Sequence, residues 1–231
     1  LKRIIAAMAD RARMAGVRIV AGDTKVVNRG KADGVFINTS GVGSLCDGVE
    51  ISPKRIRPGD AVILSGSIGS HGIAVLAERN KLTFEPPVLS DTRPLNGLVR
   101  AMQAACGDIR FMRDPTRGGL ATTLKEAALE SGLCIRVREK DILVPQPVRG
   151  ACGLLGLDPL FIANEGVLIA VTGKDQAEGL VAAMRKHPDG AAASLIGDVE
   201  AAPAGNVLLE TAIGGRRIVD MLQGEMLPRI C

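Results

Sequence analysis

Aromatic residues are scarce in this sequence: its 231 residues include no tryptophan, no tyrosine and only four phenylalanines. Proteins that bind single-stranded nucleic acid stack the bases on aromatic side chains, and binding to the phosphate backbone needs clustered positive charge. The formal net charge is only +4, with 29 basic and 25 acidic residues. We therefore expect no nucleic-acid partner.

Long apolar runs are also absent. The longest stretch without a charged residue, between Asp60 and Glu78, is interrupted by glycines, serines and His71, which a membrane span would not carry in its middle. Segment 1–15 has the apolar spacing of a helix, and the charges inside it exclude a signal peptide. Because the chain opens with Leu1 inside this helix, we expect that upstream sequence is missing.

The cysteines form no recognisable set. Their count is odd, no C-x-x-C pair occurs, and they stand tens of residues apart, at positions 46, 106, 134, 152 and 231. This excludes a zinc motif and a disulfide framework and suits the reducing cytoplasm. Four of them lie beside apolar residues and are expected in the core. Cys231 differs because it is the last residue.

Strand and helix patterns alternate along the chain, which predicts an α/β or α+β fold with helices layered on a sheet. The predicted helices cover residues 1–15, 72–79, 95–106, 120–131, 148–155 and 177–186, and the strands 17–21, 35–40, 61–65, 133–137, 167–171 and 195–199. A charged connector flanked by prolines, residues 52–60, predicts a domain boundary. We expect one domain over 1–58, a second over 59–220 and a flexible tail over 221–231.

Two glycine-rich segments could receive an anion. Gly66–Gly72 lies between a strand and a helix and contains His71, which could titrate or position a phosphate. Its spacing matches neither known phosphate fingerprint, so a tight structural turn is an equal alternative. Asp114–Gly119 combines an acid, a proline, Arg117 and two glycines before a helix, which favours phosphate or metal contact over a plain helix cap.

Two further segments carry candidate reactive groups. Asp23, Thr24 and Lys25 follow a predicted strand and supply a carboxylate, a hydroxyl and an ammonium, the ingredients of a site for a metal and an anionic ligand. A surface turn is the alternative. Glu165 lies in a turn between apolar segments, where burial would raise its pKa and make it a proton-transfer group. A plain reverse turn is the alternative for this segment.

The C-terminus ends in Leu227-Pro228-Arg229-Ile230-Cys231 and lacks the apolar periodicity of a packed element. From Asp220 onward it could extend about 35 Å at roughly 3.3 Å per residue. A terminal thiol on such an arm could enter an active site, although the neighbouring C-terminal carboxylate would raise the thiol pKa unless the site supplies positive charge.

Taken together, these motifs resemble the HypE family of hydrogenase-maturation carbamoyl dehydratases. The resemblance runs through the whole chain in order, and the Pro-Arg-Ile-Cys ending is its most specific part. It rests on residues 22–27, 65–72, 114–119, 147–160, 164–166 and 228–231. The family shares a PurM-like two-domain fold with selenophosphate synthetase and thiamine-monophosphate kinase, which here implies a partial N-terminal domain and a complete C-terminal α/β sandwich domain.

The resemblance implies an ATP-dependent reaction on Cys231. The carbamoyltransferase HypF would load the thiol with a carbamoyl group, and ATP with Mg would drive its dehydration to a thiocyanate. The cyano group would then pass to iron on a HypC–HypD scaffold as a ligand of the [NiFe] centre. The matching positions imply the following roles: Lys25 and Glu165 act with Cys231 in catalysis, Asp23 and Asp114 bind Mg, and Thr24, His71, Arg117, Gly118 and Gly119 contact ATP.

The family also implies a homodimer for the full-length protein. Its glycine- and aspartate-rich N-terminal segment, which supplies much of the nucleotide site, has no counterpart in this sequence. Two alternatives therefore stand beside the dehydratase hypothesis: a catalytically incomplete docking module for maturation partners, and an ATP-dependent phosphotransferase of the same superfamily.

Overall fold

The computed structural model describes residues 1–222 and divides the chain into two compact units, Leu1–Val49 and Glu50–Cys231. Within residues 1–222, no helix is long and apolar enough to cross a membrane.

The first unit contains one regular element. Helix α1, Lys2–Ala15, ends at Gly16, which adopts the left-handed conformation and donates its N–H to the last turn, as the sequence predicted. The strands predicted over 17–21 and 35–40 are not formed, and most of their apolar side chains are exposed. A strand must hydrogen-bond to a neighbour, and these two segments pair with nothing in the described chain. The strand predictions for this unit are therefore wrong.

The second unit is an α/β structure, as predicted. Its helices are α2 Ser70–Asn80, α3 Asn96–Ala105, α4 Gly119–Ser131, α5 Gln146–Leu155 and α6 Lys174–Arg185. Its strands are β1 Ala61–Leu64, β2 Ile109–Arg113, β3 Cys134–Arg138, β4 Ile169–Thr172, β5 Ser194–Glu200, β6 Val207–Glu210 and β7 Arg216–Val219. All five predicted helices and all four predicted strands of this unit are present, with ends shifted by a few residues.

Three strands of this unit were not predicted, namely β2, β6 and β7. β2 alternates buried and less buried residues, and this period-two pattern is a signal that identifies a strand. Its pairing with β4 shifts between Ile109 and Phe111, and these two buried residues join different core clusters. β6 and β7 have four residues each, too few for a periodicity to stand out.

The seven strands form one mixed sheet in the order β2-β4-β1-β5-β3-β6-β7. All neighbours are antiparallel except β3 and β6, which are parallel. Alternate residues of β1 face opposite sides: Val62 and Leu64 join the core beneath α4, while Ala61 and Ile63 join the core beneath α3 and α6. The central strand is therefore buried on both faces, which explains its continuous apolar sequence.

The predicted connector, residues 52–60, packs against the sheet. The Ser52 N–H donates to the Arg110 carbonyl at 2.8 Å, and the Gly59 N–H donates to the Val199 carbonyl at 2.8 Å. This segment belongs to the second unit, which begins at Glu50.

Candidate functional site

Three loops meet at one edge of the sheet in the second unit. β1 and β2 run in the same direction, with β4 antiparallel between them, and both Leu64 and Arg113 pair with Ile169. The loops that leave β1 and β2 and the turn that precedes β4 must therefore lie side by side. These are the glycine-rich loop 66–69, the loop 114–118 and the turn 163–166, three of the segments singled out in the sequence.

Asn164 holds the three loops together. Its side chain is completely buried. Its Oδ1 accepts the N–H of Gly69 at 2.7 Å, and its Nδ2 donates to the carbonyls of Pro115 at 2.9 Å and Ile162 at 3.0 Å. A buried amide with satisfied hydrogen bonds fixes the segments that it joins. Asn164 was named in the sequence only as part of the 164–166 motif, and no role in holding the loops was predicted for it.

Glycines at these loops permit the close approach. A Cβ on Gly72 would lie 2.5 Å from Cγ2 of Ile162, and one on Gly119 would lie 2.6 Å from the carbonyl oxygens of Leu160 and Ile162. Gly119 also has a φ of +62°, a conformation that favours glycine. Close packing therefore requires glycine at both positions, whatever ligand the loops bind.

Glu165 is the predicted residue with the clearest electrostatic perturbation. Its side chain is partly buried, and burial raises its pKa; the carboxylates of Asp114 and Asp91 raise the pKa further, while His71 lowers it. Glu165 is thus near enough to His71 and to Asp114, two other predicted site residues, to interact with each of them. A carboxyl group with a raised pKa is suited to accept a proton near neutral pH.

His71 is tied to a pair of hydroxyl groups. Its Nδ1 lies 2.9 Å from Ser90 Oγ and 3.3 Å from Thr92 Oγ1, and the two hydroxyl oxygens lie 2.6 Å apart. These contacts place the imidazole at the start of α2, beside the loop 66–69.

The Asp114–Gly119 segment does not form the helix cap that was considered for it. Helix α4 begins at Gly119 with Gly118 as its N-cap, and no side chain caps its first turn. Asp114 and Arg117 are exposed, and the Gly119 N–H donates to the Thr116 carbonyl at 3.0 Å. An uncapped helix start flanked by an exposed carboxylate and an exposed guanidinium suits an anionic ligand with a metal ion. The ATP contacts of Gly118 and Gly119 stay predictions.

Asp23, Thr24 and Lys25 belong to the first unit and are exposed there. The Thr24 N–H donates to Asp23 Oδ1 at 2.7 Å, a contact between adjacent residues, and the segment forms neither a strand nor a turn. Cys231 and its role as carrier lie outside the described residues. Within residues 1–222, no group of three or more His, Cys, Asp or Glu side chains could hold a metal ion by itself.

The other cysteines fit a packing role with one exception. Cys106, Cys134 and Cys152 are buried, as predicted, whereas Cys46 is exposed, so its assignment to the core is wrong. Its segment of the first unit forms no strand or helix that could bury it. Burial raises the pKa of Cys152 to about 11 and also raises that of Cys134. Neither buried thiol is activated as a nucleophile.

A cavity of about 120 Å³ lies next to the Glu165 turn, lined by Gly166 together with Ser65, Gly66, Ser67 and Arg93 among others. A larger cavity of about 400 Å³, lined by Lys140, Arg149 and Arg185 among others, contains none of the predicted site residues. The small cavity is also lined by none of the predicted site residues, but its lining includes Gly66 of the glycine-rich loop and Gly166, which directly follows Glu165.

Comparison with known proteins identifies the class to which this fold belongs. Residues 57–210 match the family described as AIR synthase related protein, C-terminal domain. The second unit is therefore a domain of this PurM-like class, as the sequence motifs predicted.

Individual relatives define the family more closely. The carbamoyl dehydratase HypE of Azotobacter vinelandii is 54% identical over 231 residues, which cover all of this chain and 68% of that protein. A crystal structure of hydrogenase maturation protein HypE in complex with ATP is 44% identical, with a TM-score of 0.89 over 99% of this chain and 70% of that one. A HypE–HypF complex structure is 40% identical, with a TM-score of 0.87, and the match covers 96% of this chain and 72% of that one. The chain belongs to the HypE family of carbamoyl dehydratases, enzymes of hydrogenase maturation.

Proposed function

We propose that this protein dehydrates a carbamoyl group carried on the Cys231 thiol to a thiocyanate, in a reaction driven by ATP. The observation that carries the proposal is the partly buried Glu165, whose pKa burial raises, at an edge where Asn164 gathers the three predicted loops. Membership in the carbamoyl dehydratase family supplies the reaction class.

The reaction changes one carbon centre. The carbonyl oxygen takes the terminal phosphoryl group of ATP, with ADP as the other product, and then leaves as phosphate. The thiocarboxamide nitrogen loses its two protons, one to Glu165 and the other to water, as the carbon–nitrogen triple bond forms, and the carbon–sulfur bond to Cys231 is kept. An amide oxygen is a poor leaving group, so ATP, held with Mg, supplies the phosphoryl group that lets it depart. Glu165 accepts a proton from the nitrogen, because its raised pKa gives the carboxylate the affinity that this step needs. Lys25 stabilises the charge that develops.

The nucleotide contacts of the proposal are those that the family motifs imply. Asp114 and Asp23 each supply carboxylate oxygens of the kind that Mg prefers. Thr24, His71, Arg117, Gly118 and Gly119 contact the phosphates, and the uncapped start of α4 favours an anion there. The related structure solved with ATP supports ATP as the cofactor.

The partners follow from the carrier role. HypF loads the thiol, which the related HypE–HypF complex supports, and a HypC–HypD complex receives the cyano group for the [NiFe] centre. We also propose a division into 1–58, 59–220 and a tail over 221–231, homodimerisation through the N-terminal domain of the full-length protein, and a cytoplasmic location.

Mass spectrometry of the C-terminal peptide tests the proposal. The full-length protein is incubated with carbamoyl donor, HypF and ATP, beside a Cys231→Ala variant as the matched control. We expect a cyano group on Cys231 in the wild type and no modification in the variant. An unmodified Cys231, or equal modification of both proteins, would contradict the proposal.

The two alternatives are separated by further measurements. Deletion of Arg229–Cys231 abolishes product under the proposed function, whereas a phosphotransferase that acts on a diffusible substrate keeps its ATP turnover. Calorimetric titration of this chain with Mg-ATP tests the docking-module alternative, because saturable binding is incompatible with a module that lacks a nucleotide site.

A further inference from the structure

Asp91 lies beneath the Glu165 turn and is not used by the proposed mechanism. It is only 9% exposed. Its Oδ1 accepts the N–H of Glu165 at 3.2 Å, and its Oδ2 accepts the N–H of Gly166 at 3.3 Å. Both carboxylate oxygens are therefore occupied by the backbone of the two residues that form the turn, and hydrogen bonds to an ionised acceptor are stronger than neutral ones.

Further contacts leave this turn little freedom. The Arg93 N–H donates to the Glu165 carbonyl at 3.5 Å, and Arg93 Nε donates to the Asp91 carbonyl at 3.0 Å. A Cβ on Gly166 would lie only 1.8 Å from the Asp91 carbonyl oxygen. Segment 91–93 thus contacts the backbone of the turn directly. Asn164, which directly precedes Glu165, anchors the turn through its own side-chain hydrogen bonds.

Asp91 clamps the turn through its two hydrogen bonds to Glu165 and Gly166, and it does so with a charged group. A neutral acceptor could make similar bonds to the same N–H groups, yet residue 91 is a carboxylate near a second carboxylate. Two such groups repel each other when both are ionised, which is unfavourable for folding. Asp114, on the loop after β2, adds to this repulsion, while His71, on α2, opposes it.

We propose that Asp91 is a positioning residue for Glu165: its buried carboxylate fixes the backbone of residues 165 and 166 and so aims the Glu165 side chain at the reacting group. The proposal rests on the proposed function. Because a small displacement of a reacting group costs up to about a hundredfold in rate, loss of the clamp reduces turnover without removing any group that contacts substrate.

Three variants of the full-length protein test this role. Asp91→Ala removes both acceptors, whereas Asp91→Asn keeps one. Asp60→Asn is the matched control, because Asp60 is also buried, accepts a backbone N–H from Arg57, and lies at the opposite end of β1. The measurements are amide hydrogen exchange at residues 165 and 166, the rate of thiocyanate formation on Cys231, and the KM for ATP.

We expect Asp91→Ala to lose exchange protection at both amides and to lower kcat about tenfold to a hundredfold, with the KM for ATP changed by less than about twofold. Asp91→Asn recovers part of the rate, and its rate declines at a lower pH than the wild type on acidification, because the nearby negative charge is gone. Asp60→Asn lowers the stability of the fold. It leaves the exchange protection of the amides of residues 165 and 166, and the rate per folded molecule, unchanged.

The amide exchange separates this inference from the proposed function, because it requires no turnover. If the amides of residues 165 and 166 keep their exchange protection in Asp91→Ala, Asp91 does not fix the turn, even if the wild type makes thiocyanate. Lost protection with an unchanged rate overturns the positioning role. A wild type that makes no thiocyanate removes the proposed function and the positioning role with it, and exchange then reports only whether the clamp exists.

Discussion

Apolar, β-branched segments occur in both units of the chain, but only those of the second unit form strands. Val35, Phe36 and Ile37 are more than half exposed, whereas Val62 and Ile63 of β1 are completely buried between two strands and two helical layers. The residues are of the same kind, and the difference lies in the neighbours. Strand propensity expresses how well a side chain packs on a sheet, so it has little effect where no sheet is present.

The same contrast applies to the candidate site residues. Asp23 and Thr24 make only a hydrogen bond to each other in the first unit, whereas Glu165 lies in a network that includes Asp91. Substitutions in the first unit should therefore perturb the structure only locally, and those in the second unit should perturb neighbouring loops as well.

Core truncation should show the largest difference between the units. Ile63→Ala removes a fully buried side chain from the core beneath α3 and α6 and should lower the free energy of unfolding by about 2–5 kcal/mol. Ile37→Ala, at a residue that is 56% exposed, should change it by no more than about 0.5 kcal/mol. Denaturant unfolding of both variants measures the difference, and equal losses would show that the first unit is packed.

Glycine substitution gives a second comparison. Gly119 and Gly16 both have positive φ, at +62° and +66°, so alanine is strained at either by roughly 1–2 kcal/mol. A Cβ at Gly119 also collides with two carbonyl oxygens, whereas at Gly16 it meets nothing within 4 Å. Gly119→Ala should therefore lower the melting temperature clearly more than Gly16→Ala. Equal decreases in the melting temperature of the two variants would mean that the loops around Asn164 can move apart without loss of stability.

The smallest expected effect concerns the charge of Glu165. Its pKa is raised in the folded state by burial, so its favourable contribution is present at acidic pH and is lost as the pH rises through the folded-state pKa. Glu165→Gln should therefore be slightly more stable than the wild type at pH 7, with the difference vanishing on acidification. Asp23→Asn, an exposed site in the first unit, serves as the control. Thermal melts across pH test this, and a Glu165→Gln variant that is less stable at pH 7 would contradict it.

Much of the second unit could be predicted from the sequence. Helix α4 has a continuous apolar face and β1 a continuous apolar run, and local periodicity identifies both. The short strand β6 depends on long-range pairing with β3, which no local pattern reports, and β7 forms a hairpin with β6. In the first unit, the strand predictions over 17–21 and 35–40 were wrong because the local pattern of these segments is that of strands, but no neighbouring strand pairs with them in the described chain.

The candidate site divides in the same way. Glu165 and Asp114 stood out because polar groups interrupt apolar sequence at loop positions. Asn164 belongs to a motif that carries the resemblance but was given no role, and Asp91 was not identified at all. Their structural importance comes from hydrogen bonds to residues such as Gly69, which is 95 positions away in sequence from Asn164. A residue with a candidate chemical role can be recognised from its type and its neighbours in the sequence. A residue that only supports it can be recognised only from its contacts in the folded chain.

The most direct test of the account is the state of Cys231 in the Glu165→Gln variant. The full-length variant and wild type are supplied with carbamoyl donor, HypF and ATP, and the C-terminal peptides are compared by mass spectrometry over time. We expect the wild type to pass from the carbamoyl to the cyano form. The variant should accumulate the carbamoyl form and make thiocyanate about a hundredfold or more slowly, as is typical for loss of a general base. Thiocyanate formation at the wild-type rate in Glu165→Gln would contradict the assignment of Glu165 as the base.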